Sequence, residues 1–211
     1  MIAVGAWIAV GLISVSGIET PKYSVLEKKD GYEIREYKPY IVAEVVVTGE
    51  FKEALNGGFR QVADYIFGNN TVADKEGESK EIAMTAPVLE QKPESQEIAM
   101  TAPVLEQQPA GDASEAHIVS FVMPSEYTMA TLPKPNNPDV KLTEVSAKKY
   151  AVLEFSGFVP AKKADEKKEE IRGLAARDGL KTTGEPLLAQ YNPPWTPPFM
   201  RKNEVWLEIE P

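Results

Sequence analysis

The chain contains no cysteine and only one histidine, His117. Without cysteine, disulfides, thiolate metal sites, iron–sulfur clusters and cysteine nucleophiles are all excluded. A single histidine makes a multi-histidine metal site or a Ser-His-Asp triad implausible. The lack of cysteine does not decide the compartment, because many exported proteins also lack it.

Basic residues are outnumbered by acidic ones. The 23 Lys and Arg residues against 32 Asp and Glu residues give a formal net charge of −9. Such a surface repels phosphate backbones, and the sequence has no basic stripe, so nucleic acid is not an expected partner. Hydrophobic residues make up 43% of the 211 positions, which is typical of a globular protein with a substantial core.

A long uncharged run occurs at the N-terminus, at Ile2–Ile18. A membrane-spanning helix needs roughly 20 apolar residues, so this run is at the short limit. Ser14 and Ser16 lie where a signal-peptide cleavage site needs small residues. We therefore predict an export signal or membrane anchor over residues 1–18, and a folded domain over 19–211 on the extracytoplasmic side of a membrane. The alternative is a buried N-terminal strand or helix in a cytoplasmic protein.

The first half of the chain predicts two strands and a helix. Tyr32–Tyr37 alternates apolar and charged residues, and Tyr40–Thr48 is rich in β-branched residues, so the two resemble an antiparallel hairpin. Lys52–Phe67 has helical periodicity. The residues predicted to form its buried face are Leu55, Phe59, Val62 and Ile66. Gly57-Gly58 costs roughly 1 kcal/mol for each glycine, which predicts a weak or kinked helix.

The second half predicts a similar set of elements. Ala161–Arg177 is predicted to be a charged helix with a thin apolar stripe. The strands are predicted at His117–Met123, Val140–Val145, Tyr150–Phe155, Pro186–Tyr191 and Glu204–Ile209.

The sequence EIAMTAPVLEQ occurs twice, at Glu81–Gln91 and at Glu97–Gln107. Proline cannot donate a hydrogen bond to a sheet, so each copy is predicted to be an edge strand or a strand broken at Pro87 or Pro103. The simplest geometry is a hairpin in which the two copies pair. This motif is therefore interpreted as scaffold rather than as a ligand contact.

A weaker repeat relates the two halves. The first half contains Ile34-Arg35-Glu36 followed by a strand, and the second half contains Leu142-Thr143-Glu144 followed by a strand. In both halves the second strand is followed by a glycine and then a helix. The order strand–strand–helix–strand therefore occurs twice. The predicted fold class is α+β, with an antiparallel, partly closed, barrel-like sheet flanked by two helices and built by pseudo-twofold duplication.

Several segments together resemble the SOUL haem-binding protein family over about Glu19 to Ile209. They are ETPKYSVLEKKDGYEIREYKPYIVAE, IAMTAPV, FVMPSEYTMATLPKP, FSGF and YNPPWTPPFMRKNEVWLEI. The doubled IAMTAPV resembles the prokaryotic branch, whose members often carry an export segment. The resemblance implies a barrel-like sheet with two flanking helices and a pseudo-twofold repeat. It also implies binding of haem or another tetrapyrrole in an apolar groove, without a known reaction for most members.

A tetrapyrrole needs a flat apolar surface, cations for its propionates and, for tight binding of iron, an axial ligand. The first helix offers Phe59, Ala63 and Phe67 with Arg60 on the same flank, beside which the resemblance places the groove. The alternative is that the two phenylalanines are core and Arg60 is solvated. Any haem is expected to be bound non-covalently.

His117 is a candidate axial ligand, and the alternative is a surface histidine at a strand end. Five methionines (84, 100, 123, 129 and 200) are weaker candidates that are more often core filler. The proline-rich segment near the C-terminus presents Phe199 and Met200 as a binding lip, or else it is a rigid connection that closes the barrel end.

The leading hypothesis is a protein that binds, carries, buffers or senses a tetrapyrrole and is not an enzyme. The first alternative is a small-ligand sensor or protein-interaction module of the same fold without haem, and the second is a tetrapyrrole-modifying enzyme. Protein partners are not identified by the sequence.

Overall fold

The computed structural model describes residues 18–72, 77–92, 116–193 and 195–210. These residues form two α-helices, α1 (Phe51–Ile66) and α2 (Ala161–Arg177), and a short 3-10 turn at Pro198–Met200. The strands are β1 (Tyr23–Lys28), β2 (Glu33–Tyr37), β3 (Tyr40–Thr48), β4 (Asn70–Thr71), β5 (Val88–Gln91), β6 (Ala116–Val122), β7 (Lys134–Pro135), β8 (Lys141–Val145), β9 (Lys148–Phe155), β10 (Thr182–Gln190) and β11 (Asn203–Ile209).

Nine strands form one antiparallel sheet in the order β1-β2-β9-β11-β10-β5-β6-β3-β8, and β4 pairs with β7 separately. Without β1, the sheet has eight strands, and strands at the same distance from the two ends of the sheet occupy equivalent positions in the two halves of the chain. β2 corresponds to β8, β9 to β3, β11 to β6, and β10 to β5. The predicted α+β class and the duplicated strand–strand–helix–strand unit are therefore confirmed.

The predicted hairpin of β2 with β3 is wrong. β2 pairs with β1 and β9, whereas β3 pairs with β6 and β8, six places away in the sheet. Only Lys38-Pro39 separates β2 from β3 along the chain, so the two margins of the sheet must approach each other. Ser146-Ala147 joins β8 to β9 in the equivalent way. The sheet consequently curls into a half-barrel.

Three clusters of buried apolar residues make up the core. One lies between α1 and strands β3 and β6, and a second lies between α2 and strands β9, β10 and β11. The third fills the concave face of the half-barrel: Tyr37, Val42, Leu89, Val122, Tyr150, Val152, Ala189 and Trp206. Strand alternation therefore sends one set of side chains to the helices and the other to the barrel interior.

α1 is turned relative to the predicted buried face. Val62 and Ile66 are buried as predicted, but Leu55 is only half-buried and Phe59 is exposed. Gly58 is buried instead, and a Cβ built on it would lie 2.6 Å from the Val119 side chain. The glycine allows the helix to approach β6 closely, so the feature predicted to weaken the helix is a requirement of its packing.

The first copy of the repeated motif lies in the middle of the sheet. Its strand β5 begins at Val88, directly after Pro87, and residues 81–87 are not part of a strand, so the proline precedes the strand and does not interrupt it. The edge-strand alternative is wrong, because β5 is hydrogen-bonded to β10 on one side and to β6 on the other. Both sides of β5 are therefore occupied, and no edge is left for a hairpin. The second copy lies outside the described residues.

No helix among the described residues is long and apolar enough to cross a membrane.

Candidate functional site

The N-terminal residues 18–22 form a strap beside the barrel, and a cavity lies on each side of it. The amide of Ala86 donates to the Glu19 carbonyl at 2.9 Å, and the amide of Lys38 donates to the Lys22 carbonyl at 2.9 Å. Pro21 is buried under these contacts, and residues 20 and 21 line both cavities. The strap therefore forms a wall shared by two neighbouring cavities.

The larger cavity, called the mouth cavity here, has a volume of about 540 Å³. That volume falls within the roughly 300–1,000 Å³ of small-molecule sites. Its apolar wall is formed by Ile41, Val122, Met123 and Pro124. The groups around this wall are Lys22, Lys38, Glu19, Glu144, Tyr40, Tyr127 and Met129. The cavity thus combines an apolar wall with cations, phenols and a thioether.

Two side chains give the mouth cavity donor groups that can approach a metal centre. Met129 is 43% exposed, so its thioether is accessible from solvent. Tyr127 is half-buried, and the Lys80 ammonium lies 5.0 Å from the centre of its ring. A thioether and a phenol are both known haem-iron ligand types.

The smaller cavity, called the strap cavity here, has a volume of about 300 Å³. Its lining includes Ile18, Tyr23, Tyr191, Met200 and Lys202. Met200, one of the residues predicted from the sequence, is therefore beside a cavity. Phe199, its neighbour, is 65% exposed and is absent from the linings of both cavities.

The four site residues predicted on the first helix lie elsewhere, three of them in α1 and Phe67 directly after it. Phe59 and Phe67 are exposed, Arg60 is exposed and donates from Nε to the Asn56 carbonyl at 3.2 Å, and Ala63 is buried. The Phe59 ring contacts the Phe121 ring with 5.1 Å between centres. None of the four lines the mouth or strap cavity. The structure does not bring these residues together with Phe199 and Met200.

His117 is fully buried on the helix side of β6, so the alternative of a surface histidine is wrong. Its Nδ1 atom lies 2.9 Å from Glu90 Oε1, and its ring packs against Phe51 with 5.9 Å between centres. Lys168 of α2 donates from Nζ to the other oxygen of Glu90 at 2.8 Å. His117 lines neither cavity, and its role as an axial ligand stays a prediction.

Sequence reasoning missed Glu90 and Lys168, although one signal for Lys168 was present. Ala164, Lys168, Ile171 and Ala175 are the buried residues of α2. Their spacing is that of one helical face, so a lysine within this stripe indicates a buried partner of opposite charge. Glu90 lies in the first copy of the motif, on a central strand where a carboxylate needs such a cation.

A second buried carboxylate, Glu204 of β11, lies on the concave face. It accepts hydrogen bonds from Arg35 at 2.8 Å, from Tyr191 at 2.6 Å and from the Trp206 indole at 2.7 Å. Lys202 Nζ also lies 3.0 Å from it. Burial alone would raise the pKa of Glu204, but the hydrogen bond from Tyr191 and the charge of Arg35 lower it overall. Glu204 is therefore held as a carboxylate by groups that include Tyr191 and Lys202, two residues that also line the strap cavity.

These observations define a class of protein: a duplicated α+β half-barrel with ligand-sized cavities at one strap. The C-terminal domain of EcmrR has this fold, with 10% identity, a TM-score of 0.56, and coverage of 89% of this chain and 98% of that one. A hydrolase from Listeria innocua aligns with 12% identity and a TM-score of 0.51, covering 88% and 94% of the two chains. At these identities the likeness shows the fold alone. No curated protein matches the chain.

The chain belongs to the SOUL haem-binding protein family. The family model matches residues 18–96 and again residues 89–208, so both halves carry the family pattern. The double match agrees with the pseudo-twofold arrangement of the strands in the sheet.

Proposed function

We propose that this protein binds haem or a related tetrapyrrole reversibly and without a covalent link, in the mouth cavity. The observation that supports this proposal most directly is a cavity of about 540 Å³ with an apolar wall, in a chain of a haem-binding family. Two lysines line the cavity together with Glu19 and Glu144. A flat apolar ring with acidic propionates needs this combination of surfaces. We propose carrying, buffering or sensing of the tetrapyrrole rather than its chemical modification.

The described residues fit the parts of a porphyrin. Lys22 and Lys38 would pair with the propionates, because both line the cavity and their backbones are hydrogen-bonded to each other. Ile41 and Val122 would contact the ring. Met129 is the proposed axial group for the iron, because its thioether is accessible. Bound haem would supply the chemistry of a coordinated iron, and Met129 would hold that iron.

The exposed face of α1 is the competing location for the ring. Phe59 and Phe67 are exposed on this helix, and Arg60 is exposed near them. Ala63 is buried and could contribute only a small contact area there. Phe199 and Met200, on the C-terminal loop, belong to neither location. The α1 face has no described cavity, so it would cover one side of a ring rather than enclose it.

A second candidate function is a small-ligand or protein-interaction module that does not use haem. The fold is shared with the C-terminal domain of EcmrR, and one scaffold hosts many functions, so this alternative needs no change of fold. The third candidate, an enzyme acting on a tetrapyrrole, is distinguished by its product.

Hemin titration of the full chain, followed by the Soret band, tests the proposal. We expect a saturable change and, for the double variant Lys22→Gln/Lys38→Gln, a dissociation constant about two- to thirtyfold higher, since each of the two exposed ion pairs contributes about 0.2–1 kcal/mol. Arg60→Gln is the matched control, because it also removes one exposed cation. An effect of Arg60→Gln without an effect of the lysine variants would move the site to α1.

Metal-free protoporphyrin and the variant Met129→Leu test the iron contact. If the thioether coordinates iron, Met129→Leu shifts the Soret maximum of bound hemin but leaves the affinity for metal-free protoporphyrin unchanged. His117→Ala should leave the maximum where it is. The absence of any saturable change in the unsubstituted protein would remove the haem hypothesis, and gradual loss of porphyrin absorbance would favour the enzyme.

A further inference from the structure

Three large aromatic side chains stand exposed on two adjacent loops. Phe158 is 58% exposed, Trp195 is 57% exposed and Phe199 is 65% exposed. We call these three residues the aromatic lip. Exposed apolar groups that cluster in this way mark surfaces that meet another molecule or a membrane. The lip lies outside the mouth cavity proposed for the tetrapyrrole.

The two loops are held against each other. The Arg201 guanidinium lies 4.4 Å from the centre of the Phe158 ring, and its Nε donates to the Thr196 carbonyl at 2.9 Å. Asn203 donates from Nδ2 to the Gly157 carbonyl at 3.1 Å, which joins the loops a second time. The lip is thus pre-organised, and presenting its aromatic rings to a partner requires little further ordering.

The described part of the chain begins beside the lip. Ile18 and Met200 line the same strap cavity, and Met200 directly follows Phe199. The uncharged run Ile2–Ile18 therefore joins the domain at the face that carries the aromatic lip. A run of this composition favours a lipid environment, and the domain surface next to it would be the surface closest to the bilayer.

We propose that the aromatic lip docks into the interfacial region of a lipid bilayer and orients the domain on the membrane to which residues 2–18 tether it. Trp is enriched at the membrane–water interface, because its ring has an apolar body and a polar N–H group. Phe199 and Phe158 add apolar area on the same side. Docking of the lip onto another protein is the competing explanation.

The three tryptophans make a direct test possible. Trp7 lies in the uncharged run, Trp195 in the lip, and Trp206 is fully buried in the barrel. The Trp7→Phe variant of the full chain is incorporated into phosphatidylcholine vesicles with or without bromine on the acyl chains. We expect brominated lipid to quench the emission of Trp195, one of the two remaining tryptophans, because its ring would lie in the interfacial region. Trp206 should be unaffected.

Two matched variants complete the test. In the Trp7→Phe background, Trp195→Phe should abolish the quenching, and Phe158→Ser/Phe199→Ser should reduce it. Phe67→Ser removes a similarly exposed phenylalanine directly after α1 and should leave the quenching unchanged. Equal emission in brominated and plain vesicles, quenching that survives Trp195→Phe, or failure of the full chain to associate with vesicles would each overturn the proposal.

Discussion

Two buried glutamates show how single residues are stabilised in this fold. Glu90 lies on the helix side of β5 and is held by Lys168 and His117, whereas Glu204 lies on the concave side of β11 and is held by Arg35 and Lys202. A carboxylate removed from water needs such partners, because its desolvation is costly. Lys168 and Arg35 come from distant parts of the chain, so each cluster also fixes the tertiary arrangement.

Arg35→Met is expected to lower the free energy of unfolding by about 3–5 kcal/mol, because it leaves Glu204 buried with less compensating charge. The measurement is urea denaturation followed by circular dichroism. The double variant Arg35→Met/Glu204→Gln should lose less than the sum of the two single variants, since the unpaired charge is gone. Arg177→Met, which removes the contacts of a half-exposed arginine with Asp30 and Asp178 and leaves no buried charge unpaired, is the control. Strict additivity would show that the two groups act independently.

At the scale of the element, the two adjacent glycines of α1, Gly57 and Gly58, have different roles. A Cβ on Gly58 would lie 2.6 Å from Val119, whereas a Cβ on Gly57 would meet nothing within 4 Å. Only at Gly58 does close packing require a glycine, which has a low helix propensity. The close approach of α1 to β6 also explains why Phe59 is turned out of the core.

Gly58→Ala should destabilise the protein by about 1–3 kcal/mol, the usual cost of overpacking a core. Gly57→Ala should have the opposite sign and stabilise it by about 0.5–1 kcal/mol, because alanine favours the helix. Equilibrium unfolding in urea measures both variants under the same conditions. Equal effects of the two substitutions would contradict the proposed close contact with Val119.

At the scale of the whole molecule, the two halves exchange strands. β2 of the first half completes the sheet of the second half by pairing with β9, and β8 of the second half completes the first by pairing with β3. Neither half therefore has a complete sheet of its own. The repeat detected in the sequence describes two interdependent units rather than two domains.

Separate expression of residues 1–138 and 139–211 tests this interdependence. Each fragment alone should lack a cooperative thermal transition in circular dichroism, because its sheet lacks a strand from the other half. Mixing the two fragments should restore the transition. A native-like transition in either fragment alone would contradict the requirement for exchanged strands.

The elements could be predicted from sequence better than their pairing. Ala161–Arg177 matches α2 in both bounds, and Tyr40–Thr48 matches β3, because local periodicity determines them. The connection Lys38-Pro39 is compatible with both a hairpin and a crossing between sheet margins, and only the pairing with β9 decides between them. β1, whose residues are all exposed, has no clear burial pattern and was not predicted.

The candidate site was harder to predict than the fold. The mouth cavity is formed by the strap, the β2–β3 connection, β6 and the loop after it, which are far apart in sequence. The predicted residues of the first helix form a local pattern, but none of them lines the mouth cavity or the strap cavity. Glu204 and Arg35 lie on alternating strands, where a charge normally faces solvent. Their side chains are buried because the sheet curls and its concave face becomes the interior of the half-barrel.

The exchange of strands also has a consequence for the order of events on the ribosome. β2 ends at Tyr37, and its partner β9 begins at Lys148, about a hundred residues later. At translation rates of about 5–20 residues per second, β2 waits roughly 5 to 20 seconds for the strand that completes its side of the sheet. Through most of its synthesis the nascent chain therefore has no finished sheet, and neither half can complete its folding until the other half has also been made.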